Sequence, residues 1–158
     1  MFSHSQLYRL RYQHQTLSEL VSPFTEEQLR LPVNPGKWSV LENVAHLAAY
    51  QPVFLERIAT IQHRDEPEFG RYVAENDPAF PPMTRHSIGT ILEHLAQYRE
   101  RIIQELESID ESRLKRVGIH LKYGRMDIVA WTEFFLLHEA HHLFTIFMLT
   151  AELRKTQE

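Results

Sequence analysis

The stretch 131–149, WTEFFLLHEAHHLFTIFML, is the most apolar run in the chain, yet it carries three histidines and two glutamates. Trp131, Phe135, His138, His142, Thr145 and Leu149 recur at spacings of 4, 3, 4, 3 and 4, the seam of a helix packed in a bundle. His138 and His142 therefore occupy positions where a bundle normally places leucine or valine. They are four residues apart, so on a helix both rings lie on one face, one turn apart. A buried imidazole pair needs hydrogen-bond partners or a metal ion. This pair has the spacing to hold an ion inside a helical core.

The whole chain limits what such a site can be. At 158 residues it reads as one domain, 1–158, with a full-sized core. Apolar residues make up 43% and charged residues 24%, with a net charge of -4, an ordinary globular composition. No segment is strongly basic, so no nucleic-acid partner is expected. There is no cysteine, which leaves His, Asp, Glu and water as metal ligands and excludes a cysteine nucleophile. The opening MFSHSQLYRLRYQHQ has no apolar signal-peptide core. His138, Glu139, His141 and His142 make the last apolar run too polar for a membrane span. A soluble cytoplasmic protein with no membrane partner is the expectation.

The periodicity predicts four main helices. The first spans 3–21, with Leu7, Leu10, His14, Leu17 and Val21 on one stripe. A short turn capped by Thr25 follows, then the loop LPVNPG. The second helix starts at Ser39, with Glu42 completing a capping box, and runs to His63. Pro52 is expected to kink or split it. Residues 64–83 hold four prolines and no period. They read as a long crossover letting the second and third helices run parallel, or as a lid over one end of the bundle. The third helix spans 87–107. Residues 115–126 read as an irregular hairpin or extended loop. Asp127 caps the fourth helix, 128–154, and RKTQE is a solvated end.

Leu136, Ala140, Leu143 and Phe147 form a second stripe on the fourth helix, ~150° from the histidine seam. A helix apolar on two sides is buried on both, so a homodimer through this helix is expected, with the crossover as the alternative cover.

A third ligand has to come from another helix. His46, beside the apolar face of the second helix, and His14, in the seam of the first, are the candidates. His4, His63, His86, His94 and His120 fall at element ends, loops or edges and read as solvated surface. His138-Glu139-Ala140-His141-His142 also satisfies the H-E-x-x-H pattern of zinc peptidases, in which Glu139 acts as general base. Thr145 and Met148 stand where one such class continues with Gly and His, and 16 residues after His142 leave little room for a distant carboxylate ligand. The peptidase reading is therefore the weaker one.

The segment 36–47, GKWSVLENVAHL, closely resembles the K-W-S-x-x-E-x-x-x-H-L motif of the DinB/YfiT-like superfamily, and His138-x-x-x-His142 resembles its second motif. Order, separation and the proline-rich middle agree over nearly the whole chain. The resemblance implies an all-α four-helix bundle in up-down-down-up order, often dimeric. It implies a divalent metal ion, zinc or nickel, held by His46, His138 and His142 with open positions for water or substrate. Family members often carry an acidic residue shortly after the second-helix histidine, where this chain has Tyr50-Gln51-Pro52.

Such a metal activates water or stabilises a thiolate. The function implied is thiol-dependent S-transfer, with a low-molecular-weight thiol as cofactor and a small-molecule substrate. The alternatives are a metal-dependent hydrolase and a non-catalytic small-molecule-binding bundle. Glu139 and His14 are the candidates for moving protons.

Overall fold

The N-terminal helix is broken once. In the computed structural model, which describes residues 1–155, α1 (His4–Tyr12) passes through a 3-10 turn, Gln13–Gln15, into α2 (Thr16–Val21). Its stripe holds, with Leu10, Leu17 and Val21 buried. The break lies where two sequence neighbours both turn inward. Gln13 Nε2 donates to Leu136 O at 3.0 Å and Glu139 Oε1 at 2.9 Å, and His14 Nδ1 accepts from Arg99 Nη1 at 3.4 Å. Both side chains meet the buried Arg99–Glu139 pair.

After α3 (Glu26–Arg30), the main bundle helices are α4 (Val40–His63), α6 (Ile88–Ser108) and α7 (Ile128–Lys155), with the short α5 (Phe80–Met83) in the crossover. The capping box at Ser39 is formed: its hydroxyl accepts from Glu42 N at 3.2 Å, and Glu42 Oε2 accepts from Ser39 N at 2.7 Å. Pro52 does not split α4, which is continuous over 24 residues. Buried Ala48, Ala49, Phe54 and Ile58 on either side secure the helix through packing that outweighs one missing amide bond. The solvated end expected at RKTQE lies outside the described residues from position 156 onward.

Cross-helix partners give the chain directions. Gln51 meets Arg99 and Gln62 meets Glu105, so α4 and α6 run parallel. Gln6 meets Val129 and Arg9 meets Glu133, so α1 and α7 run parallel. Asn43 meets His142 while His46 meets His138, so α4 and α7 are antiparallel. The result is a four-helix bundle in up-down-down-up order. Trp131, Phe135 and Phe54 centre the lower core, the last two stacked at 4.1 Å.

The linkers hold more structure than their composition predicts. β2 (Val117–His120) and β3 (Gly124–Asp127) form an antiparallel hairpin, and the crossover adds β1 (Glu68–Phe69) parallel to β2. Gly118 lets this sheet press on α4: a Cβ there would stand 2.8 Å from the Ile61 side chain. Trp131 Nε1 donates to Gly118 O at 3.3 Å, joining the hairpin to α7.

On α7 the stripe assigned to a partner is largely covered from within. Leu136 is fully buried beside Leu10 and Ile102, and Leu143 packs on the upper core. The exposed apolar residues are Leu137, Phe144, Phe147 and Met148. By length and composition alone α7 could cross a membrane, yet its Trp131, Phe135, Leu136 and Glu139 are core residues of the bundle.

Candidate metal centre

Antiparallel packing of α4 against α7 brings His46 to His138 and His142. Their ligand-capable nitrogens lie within 4.8 Å of one another, and His46 Nε2 is 3.0 Å from His138 Nε2. His14 is not part of this cluster; it lies against Arg99.

The tautomer of His142 follows from Asn43. Asn43 Nδ2 donates to Ser39 O at 2.8 Å, which fixes the amide orientation, and its Oδ1 is 3.0 Å from His142 Nδ1. An amide oxygen only accepts, so His142 Nδ1 carries the proton and Nε2 keeps its lone pair. Burial lowers the pKa of each ring to about 3, reinforced by mutual repulsion: His142 acts on His46, His46 on His138, and His138 on His142. Neutral imidazoles with lone pairs converging are the form that binds metal.

A first-row divalent ion with nitrogen bonds of about 2.0–2.1 Å sets neighbouring donors roughly 3 Å apart, in keeping with the His46–His138 pair. His46 Nδ1 and His138 Nδ1 are buried without a hydrogen-bond partner among the described residues. The donor set and its convergence fit a divalent metal, with Nε2 of each ring as the ligand atom. The walls are aromatic. Trp38 lies 5.0 Å from the His46 ring, Tyr72 lies 5.5 Å from it, and Tyr50 lies 4.8 Å from the His138 ring. After His46, α4 sets the Tyr50 ring against the cluster and turns Gln51 to Arg99.

Glu139 points elsewhere. It is 1% exposed, its carboxylate is paired with Arg99 (0% exposed), and it also accepts from Gln13. Arg99 is fully committed, donating to Glu139, Leu10 O, Gln51 and His14. This is a satisfied polar core between α1, α4, α6 and α7, and Glu139 does not line the cavity over the histidines.

That cavity, of about 960 Å³, is walled by α4, α7, the crossover and the hairpin. One of its residues corrects the surface assignment made from sequence. His120 is 2% exposed and lines the cavity, its Nδ1 accepting from Lys122 N at 3.0 Å. His120 ends a strand in which Gly118 and His120 are buried while the apolar Val117 and Ile119 are half-buried, so the apolar alternation points to the other face and gives no signal for His120 in a segment that reads as an irregular hairpin or extended loop. His4, His63 and His86 are exposed as expected, and His94 is half-buried. His141, beside His142, is exposed at the cavity rim.

Comparison with known proteins agrees with this geometry. A protein of Oceanobacillus iheyensis, provisionally named a metal-dependent hydrolase, is 24% identical over 127 residues, covering 80% of this chain and 73% of its own. The solved structure of YfiT from Bacillus subtilis, described provisionally as a metal-dependent hydrolase with an unusual four-helix bundle topology, superposes with a TM-score of 0.83. It is 19% identical and covers 97% of this chain and 90% of its own. Residues 9–146 match the profile of the DinB superfamily, and with this order of helices and this three-histidine cluster the chain belongs to that superfamily.

Proposed function

We propose that this protein is a metal-dependent enzyme in which His46, His138 and His142 hold a divalent ion, zinc or nickel, and a small-molecule substrate enters the cavity above them. The observation that carries the reading is the convergence of three neutral imidazoles at the base of an aromatic-walled cavity. When bound, such an ion supplies Lewis acidity and stabilises a developing anion.

The reaction we favour is transfer of a low-molecular-weight thiol to an electrophile. Ionising a thiol near neutral pH asks for a modest pKa shift, from about 8.5, whereas water demands a far larger one. The acidic groups here suit the smaller demand. Glu139 is locked in the core, Asp77 accepts from the Tyr72 hydroxyl at 2.6 Å, and among the described residues Glu75 is the one acid lining the cavity. His141 stands exposed at the rim of the cavity. Hydrolysis is the second reading, favoured by the provisional names of the two relatives; a pocket that binds without catalysis is the third. We place the protein in the cytoplasm, as a homodimer through the exposed Leu137, Phe144 and Met148 of α7. Between positions 137 and 148 the exposed residues of α7 include no Asp, Glu, Lys or Arg to repel a second copy.

Elemental analysis of the wild type against His142→Ala tests the metal site: about one ion per chain is expected in the first and little in the second, and equal content in both sinks the reading. Metal-loaded protein is expected to consume thiol with a model electrophile. Chelator-sensitive ester cleavage without thiol turnover would select the hydrolase.

A further inference from the structure

Among the described residues no carboxylate pairs with Arg57. The residue is 8% exposed. Its Nη2 donates to Gly70 O at 2.8 Å and its Nη1 to the Tyr50 hydroxyl at 3.4 Å. The guanidinium carbon lies 5.5 Å from the Phe69 ring centre, 5.6 Å from that of Trp131 and 5.9 Å from that of Tyr50. Asp77 lines a recess with Arg57 but is engaged by the Tyr72 hydroxyl and by Ala79 N at 2.8 Å. Burying an unpaired cation is costly. Holding one carbonyl and one hydroxyl requires no charge, since a neutral donor would serve.

The position of Arg57 supplies the purpose. It follows His46 by 11 residues on α4, about 20° around the helix and hence on the same face. Its side chain leans back toward the helix start and reaches the Tyr50 hydroxyl, while the Tyr50 ring packs 4.8 Å from the His138 ring. One tyrosine ring thus connects the buried cation to the histidine cluster, and both line one cavity. Arg71 and Lys122 add two more positive charges to that lining against Glu75, the one acid there among the described residues. His120 adds a donor: its Nδ1 accepts from the Lys122 amide, so its proton sits on Nε2. A guanidinium has five N–H donors in a planar fork matched to carboxylate and phosphate, and Arg57 uses two of them on protein.

Resting on the metal-dependent reading above, we infer that Arg57 binds an oxyanion group of the substrate, carboxylate or phosphate, and so holds the far end of that molecule at the three histidines. The substrate class is then a small organic anion whose charge is separated from its reactive atom by about the span of a phenol ring.

The test compares two matched ligands, mercaptohexanoate and mercaptohexanamide, binding to zinc-loaded protein, read by calorimetry or by fluorescence of Trp38, with metal content measured in parallel. The acid is expected to bind about tenfold tighter or more. Arg57→Gln is expected to reduce the acid to the level of the amide while amide affinity and metal content stay unchanged. Arg71→Gln, at the exposed rim, is expected to weaken the acid by about threefold. Equal binding of acid and amide by the wild type, or a preference that survives in folded Arg57→Gln, overturns the inference. Should Arg57→Gln fail to fold, the wild-type comparison and Arg71→Gln decide it. Inorganic phosphate and acetate, titrated into metal-free protein, separate this inference from the metal site. Anion binding that Arg57→Gln abolishes upholds the subsite even if the histidines take no metal. Bound metal without acid–amide discrimination removes the subsite alone. The stronger of the two anions identifies the group as phosphate or carboxylate.

Discussion

Asn43 Oδ1 accepts the Nδ1 proton of His142 at 3.0 Å, while the Asn43 amide nitrogen is tied to Ser39 O at 2.8 Å. The cap of α4 therefore sets the tautomer of a ring on α7. Outer partners of this kind typically change metal affinity by about 10–100-fold when removed. Asn43→Leu is expected to weaken zinc or nickel binding by that order while leaving the fold intact, measured by competition with a chromophoric chelator. Unchanged affinity would mean that Asn43 does not orient the ring.

The Arg99–Glu139 pair is fully buried. Removing one partner of a buried pair costs about 3–5 kcal/mol, whereas replacing both with apolar residues costs far less. Glu139→Leu alone is expected to destabilise strongly, and Arg99→Met with Glu139→Leu to recover much of the loss in a denaturant titration. If Glu139→Gln instead leaves stability unchanged and abolishes turnover, Glu139 has the catalytic role that the H-E-x-x-H pattern suggests.

His14 gives a pH signature. Burial, with the adjacent Arg99 charge, lowers its pKa from 6.5 to about 4. The folded state resists protonation, so the contribution of His14 is fully present above about 6.5 and is lost as pH falls from there toward about 4. Wild type is expected to exceed His14→Gln in Tm at about pH 7.5, with the gap narrowing at about pH 5. A gap that widens on acidification contradicts this.

Gly118 marks the tightest approach of the hairpin to α4. Gly118→Ala is expected to cost about 1–3 kcal/mol by overpacking against Ile61. Combined with Ile61→Ala, the loss should be smaller than the sum of the two single losses, because the second change opens the space that the first fills. Strict additivity in a double-mutant cycle would rule out the contact as the cause.

Phe144, exposed on α7, tests the assembly. Light scattering is expected to give a dimer for the wild type at micromolar concentration and a monomer for Phe144→Glu. A monomeric wild type removes the homodimer.

The elements that the sequence reveals are those whose signal is local. The seam of α7, the capping box at Ser39 and the stripe running through α1 and α2 each rest on side chains a turn apart. The segments that escaped are those whose partners are distant. β1 is two residues long and pairs with a strand some fifty positions on, so neither period nor propensity marks it. His120 reads as surface for the same reason: its burial depends on the crossover and on Trp131, whose ring lies 5.8 Å from its own.

Within the site the division is similar. His138 and His142 are set on one face by helix geometry alone, and the motif around His46 marks the third ring. Whether Glu139 faces metal or core was beyond the reach of spacing. It lies one position from His138 and three from His142, and its direction depends on whether Arg99 of α6 stands behind it. Sequence by itself determined the main helices, the Ser39 cap and the His138–His142 pair, because these follow from periods of a few residues, while His46 is singled out only by the resemblance of its segment to a family motif. Only the tertiary structure decided that Glu139 belongs to a buried ion pair, that His120 faces the cavity and that Arg57 has no carboxylate partner among the described residues. Each of those outcomes depends on which charges distant elements bring within hydrogen-bonding distance.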